Sequence, residues 1–272
     1  MIKKYYSIII ICIFIFYHNN LHSKVLDSKS LNKDGIYNYF SAQISLNNNQ
    51  NFDSLKFFNS SKYLKESHEL YLKKYLFSLV LNGKITKAVK EIQTTKNNNL
   101  TDFFDSKFLL LLHSLKRQDY KKSAFYLNDL QKYKDEGTFE FIILSTLEEY
   151  IYLFQNNKIK LDTNNNFGNL SLINKAFQSC YLEKPDTESF FVKLTNSEQK
   201  NYSRYLFFYI NYLITQNNFE KAKYESQKIN SLNSTLLTAQ TKQWIKEENF
   251  EKFKKIFSCK NPNDILGEFL FL

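Results

Sequence analysis

The chain has 272 residues, a formal net charge of +10 and 17% aromatic side chains, with only five glycines and two prolines. Its basic residues are nearly all lysine, Arg117 and Arg204 being the only arginines; proteins that read bases lean on arginine's two-pronged fork, so no nucleic-acid partner is expected. The glycines (Gly35, Gly83, Gly137, Gly168 and Gly267) are scattered singly and build no phosphate-cradling loop, and no residue spacing matches a metal or nucleophile motif.

The first element is an address. Lys3 and Lys4 precede an apolar run over 8–16, and polar residues follow. A helix over 5–17 spans about 20 Å at roughly 1.5 Å per residue, short of the about 30 Å of a bilayer core. A charged start, a short apolar run and a polar exit read as a secretory signal peptide over 1–23, cut after Ser23. An uncleaved membrane anchor is the alternative. Cys12 lies inside the apolar run and not after a small-residue lipobox, so lipid attachment is not expected. Cleavage leaves no transmembrane span, a linker over 24–34, and Cys180 and Cys259. These two lie 79 residues apart, about two repeats of the pattern described next. A bridge needs Cα atoms within roughly 7 Å, so two buried or free thiols are expected.

From residue 35 a pattern recurs. Stretches 48–55, 82–89, 117–124, 216–223 and 246–253 each hold a short polar turn, a large apolar residue and, three positions later, an anchor that is usually small. The anchors are Ser54 or Leu55, then Ala88, Ser123, Ala222 and Phe253, spaced by 34, 35, 99 and 31 residues from Ser54 onward. Such a period is that of a helix–turn–helix repeat. The best copies run Leu72, Tyr75, Leu76, Leu79, Gly83, Ile85, Ala88 and Leu206, Tyr209, Ile210, Leu213, Phe219, Ala222. Weaker copies place Tyr39, Ala42 and Leu46 before Phe52, and Leu237, Thr241 and Trp244 before Phe250 and Phe253. In another, Phe108, Leu111 or Leu112, and Leu115 reach Tyr120 and Ser123 through a turn that reads one residue longer.

On these residues the chain resembles tetratricopeptide repeat proteins, over roughly 35–135 and 200–272. The small member of the family's large–small pair is replaced by Leu76 and Ile210, and the usual helix-ending proline is absent, with Glu66 and Asp135 near its place. The resemblance implies an all-α solenoid of stacked antiparallel hairpins in a right-handed superhelix. Its parts would be three repeats over 35–137, a degenerate repeat or spacer over 138–196, and further repeats over 197–262. It also implies that Lys73, Phe77 and Val80, and Phe207, Asn211 and Tyr212, face a concave groove that holds a peptide. For Phe77 and Phe207, filling space between repeats is the alternative.

In the middle, 138–157 reads as one helix capped by Thr138. A polar break over 162–168, a shorter helix over 170–182 and a second break over 183–187 follow. Stretch 189–194 reads as an extended segment or a loop. At the end Asp264 reads as an N-cap, with 265–272 the apolar opening of another first helix. A helix this short is marginal alone, so the expectation is a truncated repeat over 263–272 whose coding sequence continues. A capping helix folded onto the helix at 250–257 is the alternative.

His68 reads as a cap-region or surface residue and His113 as partly buried, while neither Glu148-Glu149 nor Glu247-Glu248 forms an acid–base pair on one helix face. No catalysis and no cofactor are expected. The functional expectation is a protein-binding scaffold or adaptor of the bacterial envelope, periplasmic and possessing no nucleic-acid partner. The alternative is the non-catalytic arm of a longer envelope enzyme, such as one acting on peptidoglycan. The lysine-rich surface leaves attraction to anionic envelope surfaces open.

Overall fold

The structure, a computed structural model, describes residues 33–160, 166–196, 203–230 and 235–271. The expected signal peptide, most of the 24–34 linker, positions 162–165 of the polar break and the repeat start at 197–202 lie outside these residues. The fold is all-α, with no strand among the described residues. Two compact units divide between Thr101 and Asp102.

The first unit holds α1 (Lys33–Asn47), α2 (Asn51–Ser60), a 3-10 turn at Lys62–Glu66, α3 (Glu69–Leu81) and α4 (Ile85–Thr94). The second holds α5 (Phe104–Lys116), α6 (Tyr120–Leu130), α7 (Phe139–Asn156), α8 (Asn169–Tyr181) and α9 (Thr187–Thr195). It continues with α10 (Ser203–Thr215), α11 (Phe219–Gln227), α12 (Leu236–Lys246), α13 (Glu251–Ile256) and α14 (Pro262–Phe271).

Six helix ends share one geometry. Asn49, Gly83, Gln118, Glu183, Asn217 and Glu248 are left-handed, with φ between 52 and 68°. The N–H of the residue after each donates to the carbonyl four positions before it, at 2.8–3.0 Å in all six: Gln50 to Ser45, Lys84 to Leu79, Asp119 to Ser114, Lys184 to Ser179, Asn218 to Leu213 and Asn249 to Trp244. The left-handed residue itself donates to the carbonyl three positions before. These paired bonds are a Schellman turn, which satisfies carbonyls that a helix end would leave open. In two turns the following residue caps the next helix: Asp119 accepts from the Lys122 N–H and Asn218 from the Lys221 N–H. Helix end and helix start are thus closed within a few residues.

Counted from the left-handed residue, the register is constant except at the turn of Glu183, where the residue five after, Glu188, is half-buried. Seven positions before lie Ala42, Leu76, Leu111, Ala176, Ile210 and Thr241, all buried. Four before lie Ser45, Leu79, Ser114, Ser179, Leu213 and Trp244, also buried. Five after, Ser54, Ala88, Ser123, Ala222 and Phe253 have no exposed surface.

This register corrects two readings. The first anchor is Ser54, not Leu55, and Phe52 falls one position beyond the turn hydrophobe and is exposed. The turn before Tyr120 is not longer: Ser114, not Leu115, occupies the place of Leu79 and Leu213, with its Oγ 2.9 Å from that of Ser123. The expected break over 183–187 holds a sixth turn, at Glu183, and 189–194 lies in α9 and is not an extended segment or loop. The middle is therefore one lone helix, α7, followed by the hairpin α8–α9. The Thr138 hydroxyl caps α7 by accepting from the Phe141 N–H at 3.2 Å.

In the first unit Phe58 of α2 packs against Tyr39, Tyr71 and Tyr75, and the Tyr71 hydroxyl donates to the Phe58 carbonyl at 2.6 Å. Glu91 of α4 ties Lys62 and Lys65 of the 3-10 turn at 2.6 and 2.9 Å. Burial pushes its carboxyl up, but the two lysine hydrogen bonds outweigh that and hold it below the usual range. In the second unit Phe177, Phe191, Phe207, Phe208, Tyr209, Phe253 and Phe257 share one core. Phe219 and Phe250, both at turns, stack at 4.6 Å.

Cys180 and Cys259 form a disulfide, against the expectation of two thiols. Counting repeats failed because the chain does not simply stack onward after α13. The Asn211 carboxamide on α10 donates to the carbonyls of Phe253 and Phe257, drawing the end of α13 across α10. Lys260 then reaches the Tyr181 carbonyl at 3.1 Å, and the two cysteine Cα atoms stand 5.6 Å apart.

The last helix, α14, also differs from an unpartnered opening. It buries Ile265, Leu266 and Phe269; Phe269 meets the Tyr150 ring of α7, and Glu268 receives two hydrogen bonds from Arg204 of α10. Its side chains thus meet α7 and α10. Asp264 accepts from the Ser258 N–H at 2.9 Å and so holds the loop before the helix, inside whose first turn it lies.

Two measurements test the register. Gln118→Gly should raise stability by roughly 0.5–1 kcal/mol, since a left-handed L residue costs about 1–2 kcal/mol and glycine's extra unfolded-state freedom returns part of it. Gly83→Ala should lower stability by a similar amount, and urea denaturation reads both. Ala88→Phe and Ala222→Phe should each lower it by about 1–3 kcal/mol through overpacking; unchanged midpoints would show that these positions do not sit where the hairpin helices meet.

Candidate functional site

Local sequence decides which helix faces remain for binding. On α1 the i, i+3, i+7 residues Tyr37, Phe40 and Ile44 point outward, while Tyr39, Ala42, Ser45 and Leu46 point in. On α3 the outward stripe is Leu70, Lys73, Lys74, Phe77, Val80 and Leu81, opposite Tyr71, Leu72, Tyr75, Leu76 and Leu79. Both patterns follow from the 3.6-residue period.

Of the six residues assigned to a groove, the structure separates exposed from buried. Lys73 and Phe77 are exposed on α3 and Val80 is half-buried. Phe207 and Asn211 are not available to a ligand. Phe207 is fully buried and stacks on Phe253 at 5.9 Å, so the space-filling alternative holds for it. Asn211 is buried and spends its amide on the Phe253 and Phe257 carbonyls. Tyr212 is half-buried beside Phe191. Lys73, Phe77 and Val80 belong to the first unit, and Phe207, Asn211 and Tyr212 to the second. Family register failed at α10 because α13 and its following loop cover the face expected to be open.

His68 stands at the N-cap of α3 with its ring 5.0 Å from that of Tyr39. His113 is half-buried on α5, where burial, then Arg117 and Lys116, hold its imidazole below the usual range. Among the described residues no group of three His, Cys, Asp or Glu side chains is placed to hold a metal ion. None of the described helices is long and apolar enough to cross a membrane.

A cleft of about 300 Å³ opens between α6 and α7 in the second unit. Its floor is Ala124, Leu127 and Ile151, and its walls carry Asn128, Gln131, Glu148, Tyr152, Gln155 and Lys160. Glu148 is its charged centre: Lys134 donates to one carboxylate oxygen at 2.8 Å and Lys160 to the other. Gln131 donates its amide to the Leu127 carbonyl, whereas Asn128, Tyr152 and Gln155 make no side-chain hydrogen bond to another described residue. An apolar floor with unspent amide and phenol groups suits an extended backbone, which offers alternating donors and acceptors. Sequence reading missed this cleft. Asn128, Tyr152 and Gln155 look like ordinary surface residues until α6 and α7 are set side by side.

Set against known proteins, the chain matches no family model, no curated protein and no solved structure.

The cleft's charge centre is open to titration. Burial pushes the Glu148 carboxyl up, but hydrogen bonds from Lys134 and Lys160 outweigh it and hold it below the usual glutamate range. A carboxyl whose pKa is lower in the folded chain contributes stability above its unfolded value of about 4.3, and that contribution disappears as pH falls through the folded value. Carbon-detected NMR should find Glu148 titrating below about pH 4.3, and Lys134→Met should move the midpoint upward. Glu148→Gln should flatten the loss of stability in that acid window.

Proposed function

We propose that this chain is a non-catalytic helical-repeat scaffold, tetratricopeptide-like, exported to the bacterial envelope, where it holds a protein or peptide partner. One observation carries the reading: among the described residues the same Schellman turn recurs six times, and five of these hairpins share one buried register. A repeated hairpin supplies surface in proportion to its copies, and extended binding surfaces are what such repeats present. The cleft between α6 and α7 offers a concavity and polar groups that a peptide backbone could engage. The Cys180–Cys259 bond supports an oxidising destination such as the periplasm, in line with the charged-then-apolar N-terminus.

Photo-crosslinking in intact cells tests it. A crosslinking amino acid in place of Tyr152 should trap a discrete adduct in the periplasmic fraction, and the same group in place of Tyr224, exposed on α11, should not. Combining the probe with Lys160→Glu and Gln155→Ala should weaken the adduct severalfold. Equal labelling from both positions, or a chain found only in the cytoplasm, would refute the proposal.

A further inference from the structure

Within the second unit, the segment after α13 is held in two different ways. As far as Phe257 it is anchored in the core. The Asn211 carboxamide donates to the Phe253 and Phe257 carbonyls, and the Phe257 ring meets those of Phe177 and Phe208 at 5.6 and 4.7 Å. Beyond Phe257 the attachments change in kind. Lys260 donates to the Tyr181 carbonyl at 3.1 Å and pairs with Glu183 at 3.0 Å, and the Asn263 amide donates to the Lys116 carbonyl at 3.2 Å. All three contacts are exposed and hold little, because water competes for both partners. α14 has ten residues, too few to stay helical without a seat. It sets one short face on that seat: Ile265, Leu266 and Phe269, with Glu268 taking two hydrogen bonds from Arg204 and Phe269 meeting Tyr150.

The Cys180–Cys259 bond stands where these two regimes meet. Cys180 is buried in the last turn of α8, whereas Cys259, two residues past Phe257, is half-buried in the loop. The bond pins the segment at its root, and a reagent reaches it from the Cys259 side. While it holds, Pro262 lies three residues from a fixed point, about 11 Å of chain at most, so a detached α14 stays beside its seat. Without it the pivot retreats to Phe257. Residues 258 and 259 then gain backbone freedom whenever the helix lifts, and each residue released favours the open form by roughly an order of magnitude.

We infer that Cys180–Cys259 is a redox latch on residues 258–271. With the bond closed, α14 covers the Tyr150 ring of α7 and the Arg204 guanidinium of α10. With it open, α14 lifts from them while the helices before it stay folded. Opening needs a dithiol, such as that of a thiol–disulfide oxidoreductase. Its thiolate attacks the Cys259 sulfur, the S–S bond breaks, and Cys180 leaves as a thiolate that takes a proton. The reductant's second thiol then displaces Cys259 as a thiol. The reductant departs as a disulfide, and the chain keeps two electrons and two protons. Reoxidation reverses each step and reseats α14. The latch and the α6–α7 cleft share no residue, so failure of either leaves the other standing.

Hydrogen exchange of the full chain, read by mass spectrometry with and without dithiothreitol, tests the latch. In the dithiol form the amides of 263–271 should exchange about tenfold or more faster, while those of α8, α10 and α11 keep their protection. A chain carrying both Cys180→Ser and Cys259→Ser should match the reduced form with no reductant present. Reoxidation should restore slow exchange in the unsubstituted chain only. Equal exchange of 263–271 in the two forms would show an idle bond and overturn the inference. So would loss of protection across α8–α13 on reduction, with loss of far-ultraviolet circular dichroism, since the bond would then be a permanent staple of the whole unit. A bond that dithiothreitol opens only in denaturant is equally a permanent staple, and the inference fails.

Discussion

A helix hairpin must reverse direction within a few residues while closing the carbonyls of one helix and the N–H groups of the next. The Schellman turn does both at once, and six times in this chain one left-handed residue makes it possible. Only one of the six is glycine, Gly83; the others carry side chains at a cost of about 1–2 kcal/mol each. That expense is borne because the reversal fixes everything downstream. With turn length constant, the residue four before and the residue five after face one another across the hairpin in all but the turn at Glu183, where Glu188 instead meets Tyr209 and Lys221.

The chemistry of that facing pair explains why the copies look so unequal. Leu79 with Ala88 and Leu213 with Ala222 match a large residue to a small one. Ser114 with Ser123 matches two small residues and fills the gap with a hydrogen bond of 2.9 Å. Trp244 with Phe253 matches two large ones, edge to face at 5.5 Å, at the shortest second helix, α13. Interiors pack to a fixed density, so the sum of volumes matters more than either residue. A pattern that asks for a small anchor in every copy therefore undercounts the repeats.

The two units use charge differently. In the second, carboxylates are engaged by nearby cations: Glu148 by Lys134 and Lys160, Glu188 by Lys221, Glu268 by Arg204. In the first, Glu91 takes two lysines, Lys62 and Lys65, in a buried ion pair. Lysines on an apolar helix face are cheap when a chain is free in water, because their ammonium groups stay hydrated.

Residue pattern alone was enough for the helical class, the hairpin period and five of the six turns. Helix periodicity and turn composition act over short distances in the chain, so they are legible there. Ala88, Ala222 and Ser123 could be named as anchors for the same reason. The sixth turn escaped because Glu183-Lys184-Pro185 lacks a large residue two positions on, and only the hydrogen bond from Lys184 to the Ser179 carbonyl reveals it. Tertiary structure decided the rest. Asn211 and Phe207 have the spacing of groove residues, yet α13 folds over them. Cys180 and Cys259 are far apart along the repeat count, yet that same fold-back brings them together. The cleft beside Tyr152 exists only once α6 and α7 are adjacent. In each case the deciding contact joins residues distant in sequence, and no local pattern encodes which distant element will cover a given face.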